Sequence, residues 1–214
     1  MYMKTNKIIR LQRKPYVLGV TGNFGVGKSF IGNVLRSQGV PVIDTDDIVN
    51  DLLKTKNSVT RHIVKEFGKK AISTQPERYF INKQYLGKVV FASQSKRNKL
   101  ESIIHPGVYK QLENFRALHK KSDIVAELVP LLFECDLDAN YHETWCVICS
   151  RKEQVNRLKQ KGFSVSEIKS RIKAQMPQSK KAKLADYVID NSKSKNETKQ
   201  QVCTRLDLIK SFLV

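Results

Sequence analysis

The sequence predicts an α/β protein, a parallel sheet of five strands covered by helices on both faces. Three observations carry that prediction. Short apolar runs recur along the 214 residues and are separated by stretches of helical periodicity. No internal repeat or low-complexity segment competes with this order. Between the first apolar run and the first helix, Gly22-Asn23-Phe24-Gly25-Val26-Gly27-Lys28-Ser29 spells the phosphate-binding pattern G-x-x-x-x-G-K-[ST].

The elements follow in order. Tyr16–Val20 is a continuous apolar run and reads as a buried strand, and Phe30–Leu35 opens a helix that Gly39 closes. Val40–Asp44 reads as a second strand ending in a carboxylate. From about Asp47 to Lys121 the pattern is polar and helical, with Ile63, Val64 and Phe67, then Leu86, Val89 and Val90, then Leu112 and Phe115 at helical spacing. Residues 47–121 are therefore expected to form a helical flank that binds the substrate. Strands return at Asp123–Val129, Thr144–Ser150 and Tyr187–Ile189, and a Lys- and Arg-rich helical stretch, Arg151–Lys183, separates the last two. With the motif in place, a single three-layer α/β/α P-loop NTPase domain is expected, with its core at about 15–46, 122–150 and 184–214. In such sheets ligands gather at the carboxyl ends of the strands, where the loop, Asp44 to Asp46, Pro130, Ser150 and Asp190-Asn191 all fall.

The loop's chemistry explains its spacing. Glycines let the backbone take positive φ and approach a ligand, so that N–H groups along 22–29 converge on the β- and γ-phosphates at the positive end of a helix. Lys28 then supplies a mobile cation to the phosphoryl group, and the Ser29 hydroxyl is placed to ligate Mg²⁺. A nucleoside triphosphate, ATP, with Mg²⁺ is the expected ligand. The carboxylates of Asp44-Thr45-Asp46-Asp47 lie across from the loop, and a spacing of two puts Asp44 and Asp46 on one side if the chain stays extended. Asp46 fits a base that takes the proton of an attacking hydroxyl, while Asp47 fits the N-cap of a helix that begins there. A GTPase is disfavoured, because Asn82-Lys83-Gln84-Tyr85 breaks the guanine-reading N-K-x-D pattern at its last position. An ATPase motor is disfavoured too, since Glu127 is followed by more strand, Leu128-Val129.

Composition narrows the partners. The formal net charge is +19, from 39 Lys and Arg against 20 Asp and Glu, but the excess is spread along the chain without zinc-ligand spacing or an aromatic-interleaved patch. Nucleic acid is not the expected partner, although a basic nucleic-acid-binding ATPase stays open as an alternative, as does another nucleoside or nucleotide kinase. Apolar stretches such as Ile124–Val129 fall far short of a membrane span, and the basic segment Lys4–Lys14 lacks the apolar region of a secretory signal. A soluble cytoplasmic protein, monomeric or weakly homo-oligomeric, is expected. Cys146 and Cys149 form a C-x-x-C pair within an apolar strand, where residues three apart face opposite ways, so core thiols rather than metal ligands are expected.

Taken together, the residues resemble the dephospho-coenzyme A kinases. The likeness runs through Thr21–Ser29, Val42-Ile43-Asp44-Thr45-Asp46, Ile103-Ile104-His105-Pro106, Val129–Glu134, Arg171-Ile172 with Gln175-Met176-Pro177, Lys183, and Ala185–Asn191. The order and spacing of these segments are specific, and they cover nearly the whole chain. The resemblance implies transfer of the ATP γ-phosphate to the ribose 3′-hydroxyl of dephospho-coenzyme A. It implies Asp46 as base, with Lys28 and Ser29 on phosphate and magnesium. His105 with Pro106, and Pro130, Leu131, Leu132 and Phe133, would line the acceptor side. His105 reads equally as a satisfied histidine before a helix break at Pro106, and at least two of residues 131–133 read as core. Residues 151–183 would form a lid whose Arg157, Lys161 and Arg171 close over the phosphates, and Asn191 would lie near the adenine or merely end its strand.

The chain departs from the family pattern at three places. Phe30 stands where members usually carry Thr, Asn82-Lys83 where an Asp-Arg pair is common, and Lys161 in place of a lid arginine. Lysine keeps the charge but loses bidentate recognition of phosphate, so turnover rather than reaction type is expected to differ.

Overall fold

The computed structural model describes residues 15–75 and 80–213, and the basic segment Lys4–Lys14 lies outside the described residues. The strands are β1 (Tyr16–Thr21), β2 (Val42–Asp44), β3 (Ile124–Leu128), β4 (Glu143–Ile148) and β5 (Tyr187–Asp190). The helices are α1 (Lys28–Ser37), α2 (Thr45–Lys54), α3 (Ser58–Phe67), α4 (Lys83–Ala92), α5 (Gln94–Leu118), α6 (Arg151–Gln160), α7 (Val165–Lys173), α8 (Gln178–Leu184) and α9 (Lys195–Leu213). They divide into two compact units, one of the residues up to Asp44 with Leu118 onward, the other of Thr45–Ala117.

The first unit holds the sheet. All pairings are parallel in the order β2-β3-β1-β4-β5, so β1 is central and both its faces are covered. That is why its sequence is apolar without alternation. Leu18 and Val20, Ala126 and Leu128, and Trp145 and Val147 share one core with Ile31 and Leu35 of α1 and Val202, Leu206 and Ile209 of α9. Each large aliphatic side chain buried this way contributes about 1.5–3 kcal/mol. The opposite face carries Gly19, where an added Cβ would stand 2.7 Å from both Leu132 and Tyr141. Tyr141 donates from its hydroxyl to Glu127 at 2.9 Å, which keeps a fully buried carboxylate hydrogen-bonded inside the sheet.

Cys146 and Cys149 are buried thiols, and burial pushes the Cys146 thiol up to about 11 and raises that of Cys149. In the unfolded chain these thiols ionise near their ordinary value, so the native state holds protons that the unfolded state releases. The resulting stability is complete below about pH 9 and is lost as the pH climbs through about 11. Urea titrations at about pH 8 and pH 10.5 are expected to differ by about 2 kcal/mol, with the alkaline sample weaker. Equal midpoints would contradict the burial of Cys146.

The second unit is helical, in keeping with the pattern of 47–121. A capping box opens α3, the Asn57 side chain accepting from Thr60 N–H while the Thr60 hydroxyl accepts from Asn57 N–H. Ile63, Ala71, Ile81 and Leu86 are buried within the unit. Two expectations need correction. Pro106 breaks nothing, because it lies inside the 25-residue α5. The helix after β2 begins at Thr45, not near Asp47, so Asp47 sits in its first turn beside Asp46 instead of capping it.

Candidate active site

The phosphate loop joins β1 to α1 at the carboxyl end of the central strand. Gly22, Gly25 and Gly27 have φ of 151°, 84° and 101°. A Cβ on Gly22 would lie 2.5 Å from the Val147 carbonyl oxygen, so the chain can turn here only without a side chain. Gly27 is the left-handed N-cap of α1, and a Cβ there would strike the amide nitrogen of Asn191. Lys28 Nζ arcs back along the loop and donates to the carbonyls of Gly22 at 2.9 Å and Asn23 at 3.5 Å. Ser29 is exposed in the first turn of α1, and Phe30 is half-buried and packs against the core. Glycine φ values, a lysine lying over the loop and a helix N-terminus make a cradle suited to a polyphosphate.

The loop is braced from behind. Asn191, buried at the end of β5, donates from Nδ2 to the Val26 carbonyl at 2.8 Å and accepts from the Thr198 hydroxyl at 3.0 Å. Its amide thus ties the loop to the first turn of α9. Arg157 of α6, expected to close over phosphates, likewise grips backbone, with 2.7 Å to the Asn191 carbonyl and 3.4 Å to the Val26 carbonyl. Gln154 Nε2 donates to the Phe24 carbonyl at 2.6 Å, and Gln175 Oε1 accepts from Phe24 N–H at 2.8 Å. Asn23 Nδ2 donates to the Met176 carbonyl at 3.0 Å.

Beneath the loop lies a buried cation. Lys181 is fully buried on α8 and donates to the Pro130 carbonyl at 2.5 Å and to Glu134 at 2.9 Å. The same Pro130 carbonyl accepts from the Thr21 hydroxyl at 3.1 Å, and Glu134 also accepts from Met176 N–H at 2.9 Å. Gln178 of the same helix pairs with both backbone groups of Cys149 at 3.1 and 3.0 Å. The C-terminal part of the 151–183 stretch is therefore fastened to β4 and to the loop's floor. Lys183, which carried part of the family likeness, is exposed.

The remaining expected residues fall as follows. Pro130 and Leu131 are half-buried, whereas Leu132 is fully buried and Phe133 nearly so; Leu132 is core, not an acceptor-lining side chain. Lys161 is exposed at the end of α6. The Arg171 guanidinium lies 4.9 Å from the ring centroids of both Phe24 and Phe163. Asp44 ends β2, but the chain turns helical at once, so Asp44 and Asp46 are not aligned by an extended strand; Asp46 is exposed in the first turn of α2. In the second unit Lys83 Nζ donates to Asn50 at 2.6 Å, and the His105 ring lies 5.8 Å from that of Tyr109.

Sequence reasoning missed Gln154, Gln178 and Lys181, and Gln175 entered it only as part of the family likeness.

This geometry agrees with what similar proteins are. The family model described as dephospho-CoA kinase matches residues 16–197. The dephospho-CoA kinase of Carboxydothermus hydrogenoformans is 36% identical over 193 residues, covering 89% of this chain and 92% of that protein. A crystal structure from Thermus thermophilus superposes with a TM-score of 0.79 at 29% identity, covering 91% of this chain and 97% of that one. The dephospho-CoA kinase from Campylobacter jejuni gives a TM-score of 0.66 at 25% identity, with the same coverage of 91% and 97%. Because the match takes in the phosphate loop, Asp46 and the braces running to Asn191 as one span, the chain belongs to the dephospho-CoA kinase family.

Proposed function

We propose that this chain transfers the γ-phosphoryl group of ATP to the ribose 3′-hydroxyl of dephospho-coenzyme A, releasing ADP and coenzyme A. The observation that carries the proposal is the braced glycine loop with Lys28 laid along it at the head of α1. Lys28 exchanges its two loop carbonyls for the phosphates and neutralises charge as the phosphoryl group moves. Asp46 accepts the proton of the attacking hydroxyl, and Asp44 at the end of β2 shares in holding the acceptor. Lys83, His105, Pro130 and Leu131 are assigned to the acceptor, and Lys161, at the end of α6, to the phosphates. Arg157 and Asn191 act through the loop they hold rather than by touching phosphate.

Mg²⁺ belongs to the proposal, since the exposed Ser29 hydroxyl beside the loop suits a hard, oxygen-seeking cation. Bound there, the ion would supply charge neutralisation across the phosphates. Among the described residues no helix is long and apolar enough to cross a membrane. A cytoplasmic location is in keeping with buried, unoxidised thiols at Cys146 and Cys149.

The test is an acceptor panel. ADP release is measured with dephospho-coenzyme A, ordinary nucleosides and nucleotides, and with RNA and DNA. Dephospho-coenzyme A is expected to be the preferred acceptor by about 10²-fold or more. A nucleoside that matched it, or stimulation of hydrolysis by nucleic acid alone, would overturn the assignment.

A further inference from the structure

The variable tip of the phosphate loop carries an aromatic side chain that no part of the phosphoryl chemistry requires. Phe24 is half-buried, and its ring meets that of Phe163, in the turn between α6 and α7, edge-on at 5.1 Å and 83°. The Arg171 guanidinium of α7 lies 4.9 Å from the centroid of each ring. The peptide of Phe24 is held too, its N–H by Gln175 beyond α7 and its carbonyl by Gln154 of α6. Side chain and backbone of one loop residue are thus gripped from four successive segments of 151–175.

We propose that Phe24 is a positioning residue and that Phe24, Arg171 and Phe163 form a clamp coupling the α6–α7 arm to the shape of the phosphate loop. The proposal rests on the kinase reading above. A planar guanidinium can lie flat on a ring, whereas an ammonium cannot stack in the same way. The clamp fixes the peptide that precedes Gly25, so the loop keeps its ligand-ready form only while the arm is seated. Nucleotide binding and seating of the arm become one event, and Phe24 is the joint between them.

The test is a double-mutant cycle on the full chain, with affinity for a non-hydrolysable ATP analogue measured by calorimetry. Phe24→Leu and Arg171→Lys are each expected to weaken binding by about tenfold, and the double variant by the same total of about tenfold, not a hundredfold, because each single change already breaks the clamp. Phe24→Tyr, which keeps the ring, recovers most of the affinity. Melting temperatures of the single variants are expected to stay within about 3 °C of the parent, the size of a surface change, which separates positioning from lost stability. Losses that multiply in the double variant, or single variants with parental affinity, would overturn the clamp. The same preparations are assayed with dephospho-coenzyme A. A parent that binds the analogue with the coupled pattern but leaves that acceptor unphosphorylated overturns the substrate assignment and supports the clamp. A parent that phosphorylates it, with variants that bind independently, overturns the clamp alone.

Discussion

Asp46→Asn is expected to lower turnover by roughly 10³-fold while ATP affinity stays within about twofold, because the change removes the proposed proton acceptor and leaves the shape intact. That loss corresponds to about 4 kcal/mol of barrier. Strand β2 ends at Asp44 and α2 begins at Thr45, so Asp46 is carried in a first turn with its side chain exposed. The helix dipole favours a carboxylate in a first turn by about 0.3–1 kcal/mol, so asparagine costs the fold no more than that. Steady-state ADP release and an independent measurement of nucleotide binding separate the two effects. Turnover within tenfold of the parent would remove Asp46 from proton transfer.

Lys181→Ala is expected to be the most destabilising single change in the sheet unit, by about 3–5 kcal/mol. The ammonium is fully buried and serves the Pro130 carbonyl and Glu134 together. Its removal strands a carboxylate and opens a cavity beneath the phosphate loop. Against a total stability of about 5–15 kcal/mol this is a large fraction, and for a chain of this size it lowers the melting temperature by about 10–15 °C. Pairing the change with Glu134→Gln is expected to return part of the loss, since no unpaired charge then remains. Urea titration of the two variants checks both statements, and a Lys181→Ala midpoint equal to that of the parent would show that the pair contributes nothing.

The phosphate loop was legible because its demand is on the backbone: Gly22, Gly25 and Gly27 must occupy positive φ, and few residues but glycine do so. The five strands were legible because a buried parallel sheet leaves continuous apolar runs. Lys181 was hidden for the opposite reason. It sits between Lys180 and Lys183, both exposed, in a chain of 39 Lys and Arg residues, so nothing local marks it as buried. Asn191 was placed at the correct strand end, but its partners, Val26 and Thr198, come from distant or later segments that no spacing rule joins. The Asp44–Asp46 alignment failed because an acidic first turn reads as well as an extended end, and the helix propagated back to Thr45. Pro106 misled similarly, since a long, well-packed helix tolerates the loss of one hydrogen bond.

The central place of β1 bears on how the chain is made. Its two neighbours are β3 and β4, paired through Tyr16↔Ile124 and Leu18↔Glu143, so neither has been synthesised when β1 leaves the ribosome. At about 5–20 residues per second the nascent strand waits on the order of ten seconds for its first partner. Over that interval an apolar ribbon with open edges is exposed to other chains. Trigger-factor-like holdases that cover the N-terminal segment should therefore raise the soluble yield more than chaperones acting after release.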